Sequence, residues 1–162
     1  MDVTRSSLGA GVAATATLLL SLVVLDWVFA GTSPVLFATF TGLCAVGGPP
    51  YCELGSPTAA LLTYVWFALL FAVAWPLLFG GFTWGLPGES GLLHGLLFGV
   101  VLWTGYAVVV VYLLGVGGRA GVDSLSVLLG TFLAYAVYGL VLGGVYDRLA
   151  DHRTFLDEGL PG

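Results

Sequence analysis

Four long apolar runs constrain this chain more than any other feature of its sequence. They are Leu8–Ala30, Ala59–Phe82, Leu92–Val116 and Leu125–Tyr146. An α-helix needs about 20 residues to cross the hydrocarbon core of a bilayer, and each run reaches that length. Backbone N–H and C=O groups inside a bilayer have to be satisfied within their own segment, and the runs lack the period-two alternation of a membrane barrel. The sequence therefore predicts four transmembrane helices.

The composition indicates that lipid is the main solvent of this chain. Hydrophobic residues make up 59% of it and charged residues 8%, with a mean hydropathy of +1.05. Average soluble domains are about a quarter charged, so this residue set cannot cover a water-facing surface. The later runs are joined by short polar turns, which favours one domain over residues 1–162. We expect an all-α, polytopic transmembrane four-helix bundle in the cell membrane, followed by a tail over residues 147–162.

The arginines predict the orientation of the bundle. With four spans, Arg5, Arg148 and Arg153 share one side of the membrane and Arg119 takes the other. Basic residues collect on the cytoplasmic side, so both termini are predicted to be cytoplasmic. The first run also resembles a signal peptide, because Arg5 precedes an apolar core that ends at 28–30; cleavage there would leave three spans.

The charge pattern argues against one class of partner and suggests a source. The formal net charge is −5, and the chain contains no lysine, asparagine, glutamine or isoleucine. It offers no basic stripe of the kind that a nucleic-acid backbone requires, so the expected partner is the lipid bilayer itself. The missing lysine and the acidic tail are typical of a halophile, and the residue usage favours a haloarchaeon.

The first connection, Gly31–Thr58, is long and contains both cysteines of the chain. Its apolar stretch Val35–Val46 is too short to span the membrane. Cys44 and Cys52 fall on the predicted outer side, where a disulfide persists and would stabilise such a short loop by about 2–3 kcal/mol. The Gly and Pro residues at 47–50 favour the reversal that a disulfide would need. Two free cysteines, or a redox or metal role, are the alternatives.

Glycine is placed at helical spacing on the last two predicted helices. Gly91, Gly95 and Gly99 repeat every four residues on the third helix, and Gly139 and Gly143 do so on the fourth. Such faces let two helices approach closely and gain dispersion contact. They indicate either packing within the bundle or a self-association face for a homo-oligomer or a larger membrane complex. A similar row of small residues on the first helix consists of Gly9, Ala13, Thr17 and Ser21.

Asp26 and His94 are the ionisable residues inside the four runs. Asp26 lies near the predicted outer end of its span, which favours either an interfacial position or a proton or cation role. His94 lies one turn into the third helix, near the predicted inner face, as a hydrogen-bonded histidine or as a ligand or proton carrier. The two are too far apart in depth for a direct relay.

No cofactor is predicted. Paired haem ligation needs a second histidine at the depth of His94, and His152 lies beyond the last apolar residue. A metal site combining His94 with Glu89, Asp147, Asp151 or His152 would follow no known ligand spacing. The sequence also predicts no catalytic residues.

Two segments carry a resemblance to known membrane proteins. Gly91–Gly99 and Ala136–Tyr146 resemble uncharacterised haloarchaeal four-span membrane proteins, and they look distantly like the YagU-type inner-membrane family. The likeness covers the last two helices best. It implies a four-span topology and brings no established activity with it.

Three classes of function are compatible with these features. The favoured one is a structural or accessory subunit that associates through glycine-rich helix faces. The second is a small transporter or an ion or proton channel that uses Asp26 or His94 in a pore. A membrane enzyme, or a redox or metal-binding protein, is the least favoured, because it would need a cofactor or a cluster of ligands that the sequence does not reveal.

Overall fold

The described part of the chain is entirely helical apart from short connections. The computed structural model describes residues 3–28, 57–85, 90–108 and 125–150. The helices are α1 (Val3–Val28), α2 (57–84, formed by Pro57–Ala68, Leu69–Ala74 and Trp75–Trp84), α3 (Gly91–Gly105) and α4 (Leu125–Ala150). These ranges contain no strand, and four helices in them are long and apolar enough to cross a membrane. Over the described residues, the prediction of an all-α fold with four helices able to span a membrane is thus confirmed.

Helix ends from different parts of the chain meet at one end of the bundle. The Ser6 hydroxyl of α1 donates a hydrogen bond of 3.2 Å to the Leu149 carbonyl of α4. The Gly91 N–H of α3 donates a hydrogen bond of 2.8 Å to the Asp147 carboxylate of α4. The start of α1, the start of α3 and the end of α4 therefore lie together, and we call this the polar end of the bundle. From there α4 packs antiparallel against both α1 and α3.

Helices α1 and α4 each extend by a full turn or more beyond one end of the apolar run that predicts them. The first span was expected to begin at Leu8, but α1 begins at Val3, because its first turn is held against the end of α4. The last span was expected to end at Tyr146, with Asp147 opening the tail, but α4 continues to Ala150. In both cases a contact between helices, which hydropathy does not report, keeps polar residues helical.

The bundle buries small and apolar residues inside and leaves large apolar residues outside. On α1 the fully buried positions Ala10, Ala14, Leu18 and Leu22 recur every four residues. On the outer surfaces, Leu20 of α1 is 64% exposed and Leu133 of α4 is 56% exposed. Such a surface would drive aggregation in water but is the ordinary contact of a helix with lipid.

Aromatic side chains connect α2 to the other helices. The Phe71 ring stacks on Phe67 at a centroid distance of 4.5 Å and meets the Tyr138 ring of α4 edge-on at 5.5 Å. Nearer the polar end, Phe79 contacts Phe98 of α3 at 5.3 Å. Edge-on and tilted ring pairs stabilise by about 0.5–1.5 kcal/mol beyond their burial, so these pairs set the position of α2 against α3 and α4.

The hydrogen-bond ladder of α2 changes register in the middle of the helix. Leu69–Ala74 is π-helical, and the Trp75 N–H that follows donates to the Leu70 carbonyl, five residues back. The next residue is Pro76, which has no N–H to donate. In this register the carbonyl that loses its backbone donor is that of Phe71.

Tyr138 of α4 supplies the donor that Pro76 lacks. Its buried hydroxyl donates a hydrogen bond of 2.7 Å to the Phe71 carbonyl. On the other side of the proline, Gly11 of α1 lies directly against the Pro76 ring, where any side chain would collide. A β-carbon at Gly11 would also lie 2.6 Å from the Ala72 carbonyl oxygen. The proline is therefore accommodated by a glycine on α1 and a hydroxyl on α4.

We expect Tyr138→Phe to lower the free energy of unfolding by about 1–2 kcal/mol, because it leaves the Phe71 carbonyl without a donor in hydrocarbon. Reversible unfolding in mixed detergent micelles measures this loss. Pro76→Ala restores an N–H that can reach the Phe71 carbonyl, so Tyr138→Phe should be less destabilising in that background. Equal losses in the two backgrounds would show that the tyrosine does not compensate for the proline.

Candidate functional site

The five glycines predicted to form helix-packing faces lie opposite one another in α3 and α4. A β-carbon built on Gly95 would lie 2.9 Å from the Gly143 Cα, and one on Gly99 would lie 3.3 Å from the Gly139 Cα. A β-carbon on Gly143 would in turn meet the backbone of Gly91 and Gly95. The two backbones are therefore in direct contact along two helical turns, which requires residues without side chains.

This contact decides which surfaces remain free for a partner. The glycine faces of α3 and α4 had two interpretations, packing within the bundle and association between copies, and in the structure they cover each other within one chain. The row on α1 behaves differently: Gly9 is exposed, while Ala13, Thr17 and Ser21 are partly buried. The adjacent Ala16 is exposed as well. Small residues are thus exposed on α1. A β-carbon on Gly9 would lie 3.2 Å from Leu149 Cδ1 of α4, so Ala16 is the residue of this surface that faces away from the bundle.

Asp147 of α4 caps the first turn of α3. Its Oδ2 accepts the hydrogen bond from the Gly91 N–H. The Ser90 hydroxyl accepts a second bond, of 3.4 Å, from the Leu93 N–H, because Ser90 stands at the positive N-terminal end of this helix. The first N–H groups of a helix have no partner in their own helix, so the carboxylate stabilises the start of α3 and ties it to α4.

A layer of buried polar side chains crosses the bundle near its polar end, with one member from each helix. It consists of Ser7, Thr83, His94 and Tyr146, which are 1%, 3%, 2% and 4% exposed. We call these four residues the polar layer. The Thr83 hydroxyl donates to the Gly80 carbonyl at 3.0 Å, and the side chains of Thr83 and Tyr146 are hydrogen-bonded to each other.

The register of the helices places His94 at the level of Thr83. His94 lies one turn before Phe98 on the buried face of α3, and Phe98 packs on Phe79 and Phe82 of α2 at 5.3 Å each. Thr83 lies one turn after Phe79, towards the polar end. Helical side chains lean towards the N-terminus of their helix. The N-terminus of α3 lies at the polar end, so the imidazole of His94 also leans towards the polar end. The layer combines hydroxyls with an imidazole, groups that can exchange protons and hold small polar molecules.

The other candidates from the sequence are separate from this layer or lie outside the described residues. Asp26 belongs to the last turn of α1, so its backbone is at the opposite end of the bundle from His94. Cys44 and Cys52 fall in residues 29–56, outside the described ranges, as does Arg119. The structure therefore brings the five glycines together and keeps Asp26 and His94 apart.

Metal binding finds no support in the described ranges. Within them, no three His, Cys, Asp or Glu residues gather closely enough to hold a metal ion. Glu89, Asp151 and His152, which entered the metal hypothesis, lie outside those ranges.

Several residues of the site were missed from the sequence. Ser7 and Thr83 gave no signal, because isolated hydroxyls are common in membrane helices and usually bond to their own backbone. Asp147 was placed in the tail, although a carboxylate one turn after Gly143 on the same face pointed towards the third helix. Pro76 alone signals from the sequence that the ladder of the second helix is interrupted, but no local pattern assigns Gly11 or Tyr138 to it.

Comparison with known proteins places the chain in a family without assigning an activity. A family model described as a family of unknown function (DUF6789) matches residues 1–157. No curated protein and no solved structure matches the chain. The match spans the four helices, so it concerns the whole bundle and not one motif.

Gly95→Ala should destabilise the bundle by about 1–3 kcal/mol, because the added methyl group collides with the backbone of α4 and forces the helices apart. Gly105→Ala in α3 is the matched control, since a β-carbon there meets nothing within 4 Å. Alanine favours a helix over glycine by about 1 kcal/mol, so the control should be neutral or stabilising. Reversible unfolding in mixed micelles measures both changes. Equal free energies of unfolding for the two variants would contradict the close contact.

Proposed function

The chain belongs to the DUF6789 family of unknown function, and we propose that it is an accessory subunit of a membrane complex. It binds its partner through the outward small-residue surface of α1. The observation that carries this proposal is the division of the small-residue faces. Those of α3 and α4 cover each other within the chain, whereas Gly9 and Ala16 of α1 are exposed. Of the small-residue faces predicted from the sequence, the one on α1 is therefore the candidate for association with a partner.

The α1 surface has the chemistry that helix association in lipid requires. Small residues let a partner helix approach closely and gain dispersion contact that lipid tails do not replace. Thr17 and Ser21 border this surface, and their hydroxyls already donate to the Ala13 and Thr17 carbonyls at 2.9 and 2.8 Å. The surface therefore demands no hydrogen bond from its partner, which favours an apolar helix as the partner.

The proposal includes an orientation and a source. Arg5 and Arg148 lie at the same end of the bundle and both are exposed, which supports a cytoplasmic polar end with both termini inside. The absence of lysine supports a halophilic, archaeal origin. The likeness to the YagU-type family stays a resemblance, supported by the glycine segments of α3 and α4.

A transport function is the second candidate, and the polar layer favours it. A buried histidine at the level of three hydroxyl groups is the kind of arrangement through which protons pass along a membrane bundle. For such a function, however, the layer would have to connect with a second polar site deeper in the membrane. Asp26, the other ionisable residue predicted inside a span, belongs to the far end of α1.

We expect Ala16→Leu to weaken the complex about tenfold or more, because the larger side chain keeps the partner helix at a distance. Ala68→Leu on α2 is the matched control, since Ala68 is also exposed and lies on a different helix. Native membranes solubilised in mild detergent, with the complex sized before and after affinity purification, provide the measurement. An unfolding curve for each variant shows that the bundle itself is intact.

Two results would overturn the accessory role. In one, the wild-type chain is a monomer without a stoichiometric membrane partner under the mildest conditions. In the other, Ala16→Leu and Ala68→Leu leave the same complex unchanged, which would remove α1 as the contact surface.

Purified protein in liposomes that contain a pH-sensitive dye should leak protons no faster than protein-free liposomes, because an accessory subunit has no path of its own. A potassium gradient with valinomycin supplies the driving force. Sustained proton flux that His94→Ala abolishes, and that Asp26→Asn lowers, would establish transport in place of the accessory role. Flux that survives both substitutions would contradict both candidates as stated.

A further inference from the structure

Two hydroxyl groups of α1 differ from the hydroxyls that bond to their own helices. Thr17, Ser21 and Thr104 donate to the carbonyl four residues earlier in their own helices. Ser7 and Thr15 are 1% and 6% exposed, and their hydroxyl oxygens have no hydrogen-bond partner within the part of the chain that the structure describes. Their hydroxyls are therefore buried without the bond to their own helix that is usual in a membrane.

Both hydroxyls lie on the side of α1 that faces α2. Ser7, Gly11 and Thr15 are spaced four residues apart, so they form one ridge of the helix. The middle residue, Gly11, is in direct contact with the Pro76 ring and faces the Ala72 carbonyl. The two hydroxyls therefore lie about one turn on either side of the place where α1 touches the proline of α2.

A buried hydroxyl without a partner is unfavourable by about 1–3 kcal/mol, so such groups in folded proteins usually hold an ordered water molecule. A water molecule is retained where it finds two to four polar partners. The Ala72 carbonyl oxygen faces the same ridge, and a carbonyl has two lone pairs, so it can accept from water while it serves its own helix. Thr15 and this carbonyl supply the donor and acceptor that a bound water needs.

We propose that the seam between α1 and α2 is a water-binding site, with one water at Thr15 beside the π-helical segment and one at Ser7 near the polar end. The Gly11–Pro76 contact separates the two positions. Thr15 lies about 12 Å deeper than Ser7 along the helix axis. Water is thus held at two separate levels, one near the polar end and one where the ladder of α2 changes register, independently of whether α1 also binds a partner.

Magic-angle-spinning NMR with transfer of magnetisation from water, on the full chain in lipid bilayers, tests this proposal. The signals of Thr15 and Gly11 should gain intensity at least about threefold faster than those of Ala14 and Ala16, their neighbours at the same depth. Ala14 is fully buried and Ala16 is exposed on the outer surface, so together they control for depth and for leakage along the lipid interface.

Thr15→Val removes the hydroxyl at nearly constant volume and should slow transfer at Gly11, leaving only the transfer that the water at Ser7 supplies. Thr17→Val is the matched control, because the Thr17 hydroxyl already bonds to its own helix, and it should leave transfer at Gly11 unchanged. Wild-type Thr15 gaining intensity no faster than its neighbours would overturn the proposal, and this comparison needs no variant to fold. Equal effects of the two valine variants would overturn it as well.

Discussion

Inside hydrocarbon, a backbone N–H or C=O group without a partner is unfavourable by several kcal/mol. This bundle has at least two places where a helix cannot satisfy its own groups, one within a span and one at the polar end. One is the Phe71 carbonyl, which loses its donor because Pro76 has no N–H. The other is the first turn of α3, whose N–H groups precede any carbonyl they could reach. The Tyr138 hydroxyl donates to the Phe71 carbonyl, and the Asp147 carboxylate accepts from the first turn of α3. Both residues belong to α4.

The same helix also provides the backbone-to-backbone contact with α3. Gly139 and Gly143 meet Gly95 and Gly99 backbone to backbone, because none of them has a β-carbon. In lipid, where burial of apolar surface drives nothing, such contact supplies dispersion energy that a looser interface would lose. Hydrogen bonds set the register of α4 along its neighbours, and the glycines set its distance from α3. Both therefore determine the geometry of the polar layer.

The number of spans could be predicted from the sequence because the thickness of the bilayer dictates the length of an apolar run. The starting point of α3 was also predictable, since Ser90, just before the third apolar run, is a local capping signal. The ends at Val3 and Ala150 were not, because contacts with other helices hold these turns in place. A row of glycines predicts that another helix packs closely against it but does not indicate which helix. The pairing of α3 with α4 therefore required the structure. Tyr138 and Phe71 are 67 residues apart, and nothing near either of them signals the bond.

The central position of α4 bears on the order in which the bundle is made. A ribosome delivers α1, α2 and α3 to the membrane before α4 exists, and helices inserted one by one associate only afterwards. Gly11 and Pro76 can meet at that stage, since both are already in the lipid. The Phe71 carbonyl and the Gly91 N–H in the first turn of α3, however, have no partner until Tyr138 and Asp147 of α4 have been synthesised. A nascent chain stalled before Tyr138 would therefore expose unpaired backbone groups that the quality-control machinery of the membrane can recognise. Synthesis and packing of α4 would bury these groups.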